Sequence, residues 1–206
     1  SITCIIFCFD GIARVDESGI VSRDGSHQAL DVIVLATGFK VPAAGAPFPI
    51  EGLGGRLLND DWRSGSEAYL GMTVSGYPNM LYIMGPNTGP GNISVIFYIE
   101  SQLRYIMAYL KHLRQRNIAA LDLKAEVQRE FNDALQAKMQ NTTWMSGCDS
   151  WYLTEDGKNT TLWPGYSWQY RMQSKHFDPS IYRSRRRSMS EPQVNVELGE
   201  PATSSS

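Results

Sequence analysis

Met80-Leu-Tyr-Ile-Met-Gly-Pro-Asn-Thr-Gly-Pro-Gly91 sets an unbroken apolar run against a turn rich in glycine and proline. A run without polar alternation suits a strand covered on both faces. Beyond the turn, Ile96, Ile99, Leu103, Ile106, Leu110 and Leu113 recur at intervals of three and four, which places them on one face of a helix. The stretch therefore predicts strand, glycine-rich turn, helix. Such a turn lets a ligand approach backbone N–H groups closely, and a helix start carries positive partial charge. The simpler reading is that Gly89 and Gly91 only permit a tight connection.

Upstream, Asp31-Val-Ile-Val-Leu-Ala-Thr-Gly38 is a second apolar run and predicts a central parallel strand. It ends in Thr37 and Gly38, small residues of the kind that let a cofactor lie at the carboxyl end of a strand. Gly38 equally serves a plain chain reversal. Before it, Glu17-Ser18-Gly19 and Asp24-Gly25 break residues 10–25 into two short strands of a hairpin or small meander. Residues 40–67, rich in Gly and Pro, read as an extended loop with room for one short strand. Downstream, residues 119–123 predict a short strand and residues 125–140 a helix, with Val127, Phe131, Leu135 and Met139 on its apolar face. Residues 144–182 hold four of the five tryptophans and form an irregular aromatic segment, with a short helix over residues 165–174. From residue 183 onward the chain offers too little apolar area to offset its entropy and is expected to be a disordered tail.

Composition excludes several classes of function. A chain of 206 residues with 42% hydrophobic content can bury a core. Nineteen Lys and Arg against 21 Asp and Glu give a net charge of -2, without the basic excess of a nucleic-acid binder. Three cysteines and three histidines make neither a disulfide framework nor a convincing metal site, and Cys4-x3-Cys8 has no second ligand pair. A reducing, cytoplasmic setting follows from cysteine usage and from an apolar start too short to span a membrane. No phosphate-binding Gly-x4-Gly-Lys-Ser/Thr occurs, nor the Gly-x-Gly-x-x-Gly that opens a complete dinucleotide fold. Asn92-Ile-Ser94, Asn141-Thr-Thr143 and Asn159-Thr-Thr161 match glycosylation sequons and read as incidental. Glu100 and Arg104 suit a surface ion pair along the helix. Arg185-Arg-Arg-Ser188 has the character of a site for a basic-directed kinase, with a solvated charge run as the simpler reading.

The order of the segments is more specific than any one of them. Asp31-Val-Ile-Val-Leu-Ala-Thr-Gly-Phe39, Ala68-Tyr-Leu-Gly-Met-Thr-Val74, Gly76-Tyr-Pro-Asn-Met-Leu-Tyr-Ile-Met-Gly-Pro-Asn-Thr88 and Ile99-Glu-Ser-Gln-Leu-Arg-Tyr-Ile106 succeed one another. Cys148-Asp-Ser-Trp-Tyr152, Asn159-Thr-Thr-Leu-Trp-Pro-Gly165 and Phe177-Asp-Pro179 follow. The series resembles the C-terminal third of flavin-containing monooxygenases, particularly the Baeyer-Villiger-like class. It covers residues 10–182 and leaves residues 1–9 as an unmatched apolar start.

The resemblance implies an incomplete α/β FAD/NAD(P)-binding, Rossmann-like fold, with FAD and NADPH as cofactors. Its partners would be a small-molecule carbonyl or heteroatom substrate and O2, with no nucleic acid and no metal. It places Thr37 and Gly38 near FAD. It also brings Gly85, Pro86, Asn87, Thr88, Asn92, Ile93, Ser94 and Val95 to the pyrimidine side of the flavin ring, and Trp151 to the nicotinamide and substrate pocket. Relatives carry a histidine in the turn after the second glycine, where this chain has Asn92, a residue able to cap the helix. The catalytic residues are not identified. The arginine that relatives place near the flavin has no counterpart here, since Arg14 and Arg23 fall in the expected hairpin. Alone, such a chain is expected to be inactive and to bind FAD poorly. The alternative is a non-catalytic remnant that binds a partner through surface left bare.

Overall fold

The computed structural model describes residues 11–35, 48–91, 93–145, 152–154 and 156–188. They fall into two units, Ser1–Phe39 and Lys40–Ser206. In the first, strands β1 (Ile12–Asp16), β2 (Gly19–Ser22) and β3 (His27–Ala29) form an antiparallel meander, with β1 and β2 in the stretch where two short strands are expected. Aspartates build both turns. Asp16 accepts from the Ser18 amide at 3.1 Å and Ser18 Oγ at 2.9 Å, and Asp24 accepts from the Ser26 amide at 2.9 Å and Ser26 Oγ at 2.7 Å. A carboxylate bonded two residues ahead mimics a backbone turn. Its His27 and Ser18 hydrogen bonds draw the Asp16 pKa down to about 2.

The expected central strand does not follow. Residues 31–35 carry no strand, and Val32, Val34 and Leu35 are 75%, 82% and 82% exposed. A parallel strand takes its hydrogen bonds from neighbouring strands and hides its side chains under helices on both faces. The described residues of this unit supply neither. Thr37 and Gly38 lie outside the described residues.

The second unit opens where a loop was expected, with a 3-10 turn at Leu53–Gly55 and a one-turn helix α1 (Leu58–Asp61). Leu58 is fully buried with Ala68, Val74 and Tyr77, and Trp62 and Tyr82 close the cluster with ring centroids 5.6 Å apart. The long helix α2 (Val95–Gln115), strand β4 (Ile118–Leu123), helix α3 (Ala125–Met139) and helix α4 (Ser167–Ser174) then follow as the sequence predicts. A 3-10 turn at Pro179–Ile181 leads into β5 (Tyr182–Arg186), which pairs antiparallel with β4.

Three sequence expectations are corrected here. Residues 80–84 form no strand: Asn79 and Met84 adopt left-handed φ of 61° and 57° at either side, so the ladder stops after a single bond from the Tyr82 amide to the Met72 carbonyl at 2.8 Å. The buried face of α2 is Tyr98, Ser101, Gln102, Tyr105, Ile106 and Tyr109, which shares only Ile106 with the expected stripe, while Ile99 and Leu113 are half-buried. Ile96, Leu103 and Leu110 from that stripe, with Met107 beside them, are 42–62% exposed. The tail begins later than expected, because β5 continues to Arg186 and the Arg187 amide still donates to the Asn117 carbonyl at 3.2 Å. Main-chain pairing needs no apolar side chains of its own once Tyr182, 5% exposed, is anchored. Residues 189–206 lie outside the described residues.

Aromatic rings explain which face of α2 is buried. Tyr98 and Trp163 pack on Tyr170 at 4.7 and 5.1 Å, and the Tyr170 hydroxyl donates to the Leu70 carbonyl at 2.7 Å. Farther along, Tyr105, Tyr109 and Tyr182 each stand 5.5 Å from Phe177. The Tyr105 and Tyr182 hydroxyls meet at 2.8 Å, Thr73 Oγ1 reaches Tyr182 at 3.2 Å, and Tyr109 donates to the Leu121 carbonyl at 3.0 Å. Tyr105, Tyr109, Tyr170 and Tyr182 thus each bury a large ring and satisfy its polar end. Among the described residues, no helix is long and apolar enough to cross a membrane.

Candidate functional site

The turn of residues 85–91 and the first turn of α2 form the candidate site, and they differ sharply in environment. The middle of the turn, residues 86–88, is buried and held by protein, while Gly91 is exposed. Asn87 (φ 56°) and Thr88 are 3% and 0% exposed. Asn87 Nδ2 donates to the carbonyls of Asn159 (2.8 Å) and Leu162 (3.0 Å), and its amide donates to the Thr160 carbonyl at 2.8 Å. The Gly89 amide donates to the Thr161 carbonyl at 2.8 Å, and the Trp163 amide to the Gly89 carbonyl at 3.1 Å, closing a parallel bridge between Gly89 and Leu162. Thr88 Oγ1 folds back onto the Gly85 carbonyl at 2.6 Å. From the other side, Gln102 of α2 accepts from the Met84 amide at 3.0 Å.

The glycines are small because chain packs on chain there. A Cβ on Gly89 would lie 2.8 Å from the Thr161 carbonyl oxygen, one on Gly85 would strike the Gly71 carbonyl, and one on Gly91 would enter the Trp144 ring. The structural reading of Gly89 and Gly91 thus holds for the turn itself. Gly71 is the matching position opposite, at φ 64°, where a Cβ would strike the Thr88 methyl and come within 2.8 Å of the Pro86 carbonyl oxygen.

Past the turn the surface opens. Ile93, Ser94, Val95 and Ile96 are all exposed. Ser94, with extended backbone at φ -62° and ψ 128°, is the N-cap in the place given to Asn92, and its side chain makes no capping bond. The opening N–H groups of a helix have no intrahelical acceptor, so this end presents donors and positive partial charge outward.

Of the other expected site residues, Gly85, Pro86, Asn87 and Thr88 are brought together as braces behind the helix start. Ile93, Ser94 and Val95 form its open end, and Asn92 and Trp151 lie outside the described residues. Sequence reasoning missed three residues at the site: Gly71, Trp144 against Gly91, and Gln102 beneath Met84. Gln102 sits among polar-looking helix positions, and only the turn it holds gives it meaning. Glu100 pairs with Arg171 at 3.4 Å rather than along its own helix, and Arg171 also lies 4.5 Å over the Phe97 ring. Asn159 is fully buried, which removes it as a glycosylation acceptor. Among the described residues, no group of three or more His, Cys, Asp or Glu is placed to hold a metal ion.

A Baeyer-Villiger monooxygenase of Pseudomonas aeruginosa is 42% identical over 178 residues, 84% of this chain and 33% of its own length. The chain is homologous to part of the Baeyer-Villiger monooxygenases. It spans about a third of the curated relatives it matches, and no family model matches it. An FAD-binding monooxygenase of Aspergillus niger is 37% identical over 165 residues, 78% of this chain and 27% of the relative. Among solved structures, an oxidized steroid monooxygenase bound to NADP superposes with a TM-score of 0.64 at 26% identity, over 85% of this chain and 34% of that one. The likeness to monooxygenases thus extends from sequence to the mixed helix-and-strand fold.

Proposed function

We propose that this chain supplies the flavin-facing helix start of an FAD- and NADPH-dependent monooxygenase that transfers one oxygen atom from O2 to a small carbonyl or heteroatom substrate. The observation that carries the proposal is the open first turn of a 21-residue helix, set on a buried turn with hydrogen bonds on both sides. Homology to Baeyer-Villiger enzymes supports it. FAD, when bound, supplies the redox and oxygen chemistry. The residues present fit an electron-rich heterocycle in two respects: the helix start is uncapped by its own Ser94 side chain, and Ile93, Val95 and Ile96 give it an apolar rim.

In this reading Ile93, Ser94 and Val95 make the contact, chiefly through backbone N–H groups. Positive partial charge there favours a more negative guest by roughly 0.3–2 kcal/mol. Asn87, Thr88 and Gln102 orient the helix start without touching the ligand. Thr37, Gly38 and Trp151 remain proposed contacts to FAD and to the nicotinamide pocket, on resemblance.

Val95→Pro tests the contact. Pro is accepted at the first helical position, and Ser94 already has the extended backbone that a following proline requires. The change deletes one outward N–H and leaves the helix standing. Flavin fluorescence quenching should show weak uptake of FAD by the purified chain, and the variant should bind roughly ten-fold less tightly, the equivalent of one hydrogen bond. Equal affinity of the two proteins, or no uptake by the parent chain, would remove the basis of the proposal.

The exposed Ile96, Leu103, Met107 and Leu110 favour a second reading, a non-catalytic module that covers this stripe with a partner protein. Retained flavin together with NADPH-dependent oxygen consumption would decide against it.

A further inference from the structure

Three of the five residues of strand β5 are exposed arginines. After the buried Tyr182, residues 183–186 are all exposed, and β5 pairs with β4 on one side only among the described residues. Ser188 follows two residues beyond the strand and is exposed. The Arg187 amide bonds the Asn117 carbonyl, so this end of β5 lies beside the turn from α2 into β4. Lys111, Arg114 and Arg116 come from that turn and the last helical turns before it, while Arg185, Arg186 and Arg187 come from β5 and the residue after it. No carboxylate occurs in residues 105–121 or 179–190. In a chain of net charge -2 this is a pronounced local excess of positive charge.

We infer that Ser188 is a phosphoacceptor for a basic-directed serine kinase, read through Arg185 and Arg186. A kinase groove takes its substrate as an extended strand and recognises arginines two and three residues before the acceptor with carboxylates, which pair with guanidinium groups in two-pronged fashion. Here the fold already holds Arg185 and Arg186 extended and exposed, and Ser188 lies past the last ladder pair, Ile118 with Arg186. The two neighbouring serines fit less well. Ser184 sits inside the ladder opposite Leu121, and Ser190 has an arginine three residues before it but Ser188 itself two before. In the reaction a bond forms between Ser188 Oγ and the γ-phosphorus of magnesium ATP while the bond from that phosphorus to the ADP oxygen breaks. The hydroxyl proton passes to the kinase's catalytic carboxylate. The product carries a charge of about -1.5 to -2 at neutral pH, placed at the basic end of the β4–β5 sheet.

The test uses the full 206-residue chain, magnesium ATP and the catalytic subunit of cyclic AMP-dependent protein kinase, with sites located by fragment-ion mass spectrometry. Phosphate should appear on Ser188, vanish from that position in Ser188→Ala, persist at an unchanged rate in Ser190→Ala, and form at least ten-fold more slowly in the Arg185→Ala, Arg186→Ala double variant. Phosphate on Ser184 or Ser190 with Ser188 bare, a rate indifferent to the arginine pair, or no incorporation would overturn the assignment. Ser190→Ala lies beyond the strand, so its result stands even if the arginine variant loosens β5.

Discussion

Asn87 shows how one residue can carry a site without touching its ligand. A left-handed backbone suits asparagine better than most residues. The side chain uses both amide hydrogens on carbonyls more than 70 residues downstream. Asn87→Ala should cost about 1–3 kcal/mol, since it strands the buried Leu162 carbonyl, leaves the Asn159 carbonyl to Gln136 Nε2, and leaves alanine in a left-handed turn. Urea unfolding reads this directly, and a loss below 1 kcal/mol would mean that the Leu162 carbonyl finds another donor. Gly71→Ala should be at least as harmful as a typical overpacking change, about 1–3 kcal/mol, because its new methyl meets Thr88 and Pro86 at an already strained φ. Neither outcome is readable from the sequence: Gly-Pro-Asn-Thr marks a turn, but only the fold shows that residues 159–163 are what it grips.

At the scale of elements, α2 was legible in extent and illegible in orientation. Helical spacing is a local property of the chain, so residues 95–115 could be recognised from their own period. Which side faces inward depends on what the remainder brings up, and Tyr170, Phe177 and Tyr182 arrive from the far end of the chain to cover the tyrosine side. The same dependence defeated the strand expected at residues 80–84 and residues 31–35 of the one expected at 31–38: among the described residues, neither run has a neighbouring strand to ladder with. The two sides of α2 should therefore respond differently to substitution. Leu103→Gln and Met107→Gln should each alter stability by no more than about 0.5 kcal/mol, as exposed positions do. Tyr105→Phe should lose about 1 kcal/mol with its bond to Tyr182. Thermal unfolding of the three variants in parallel checks the contrast, and it would be reversed if the aliphatic side were the covered one.

For the molecule as a whole, the buried phenols set its behaviour in alkali. Burial raises the pKa of Tyr98 to about 12, and burial, offset in part by hydrogen bonds from Thr73 and Tyr105, leaves Tyr182 at about 12. Tyr105, Tyr109 and Tyr170 are pushed upward by burial as well. An unfolded tyrosine ionises near pH 10, so the folded state holds these protons more tightly. The associated stability is complete below about pH 10 and is lost as pH climbs towards 12. Tyrosinate absorbance and far-ultraviolet circular dichroism should consequently change together in that interval; phenol ionisation well ahead of unfolding would show the rings to be accessible to hydroxide. Synthesis imposes a further demand through the pairing of Asn87 with Asn159. The two are separated by 72 positions, so at about 5–20 residues per second the ribosome makes the first roughly 4–14 seconds before the second. For that interval the nascent helix start has no floor beneath it, and chaperone capture during translation should peak while residues 90–160 are emerging.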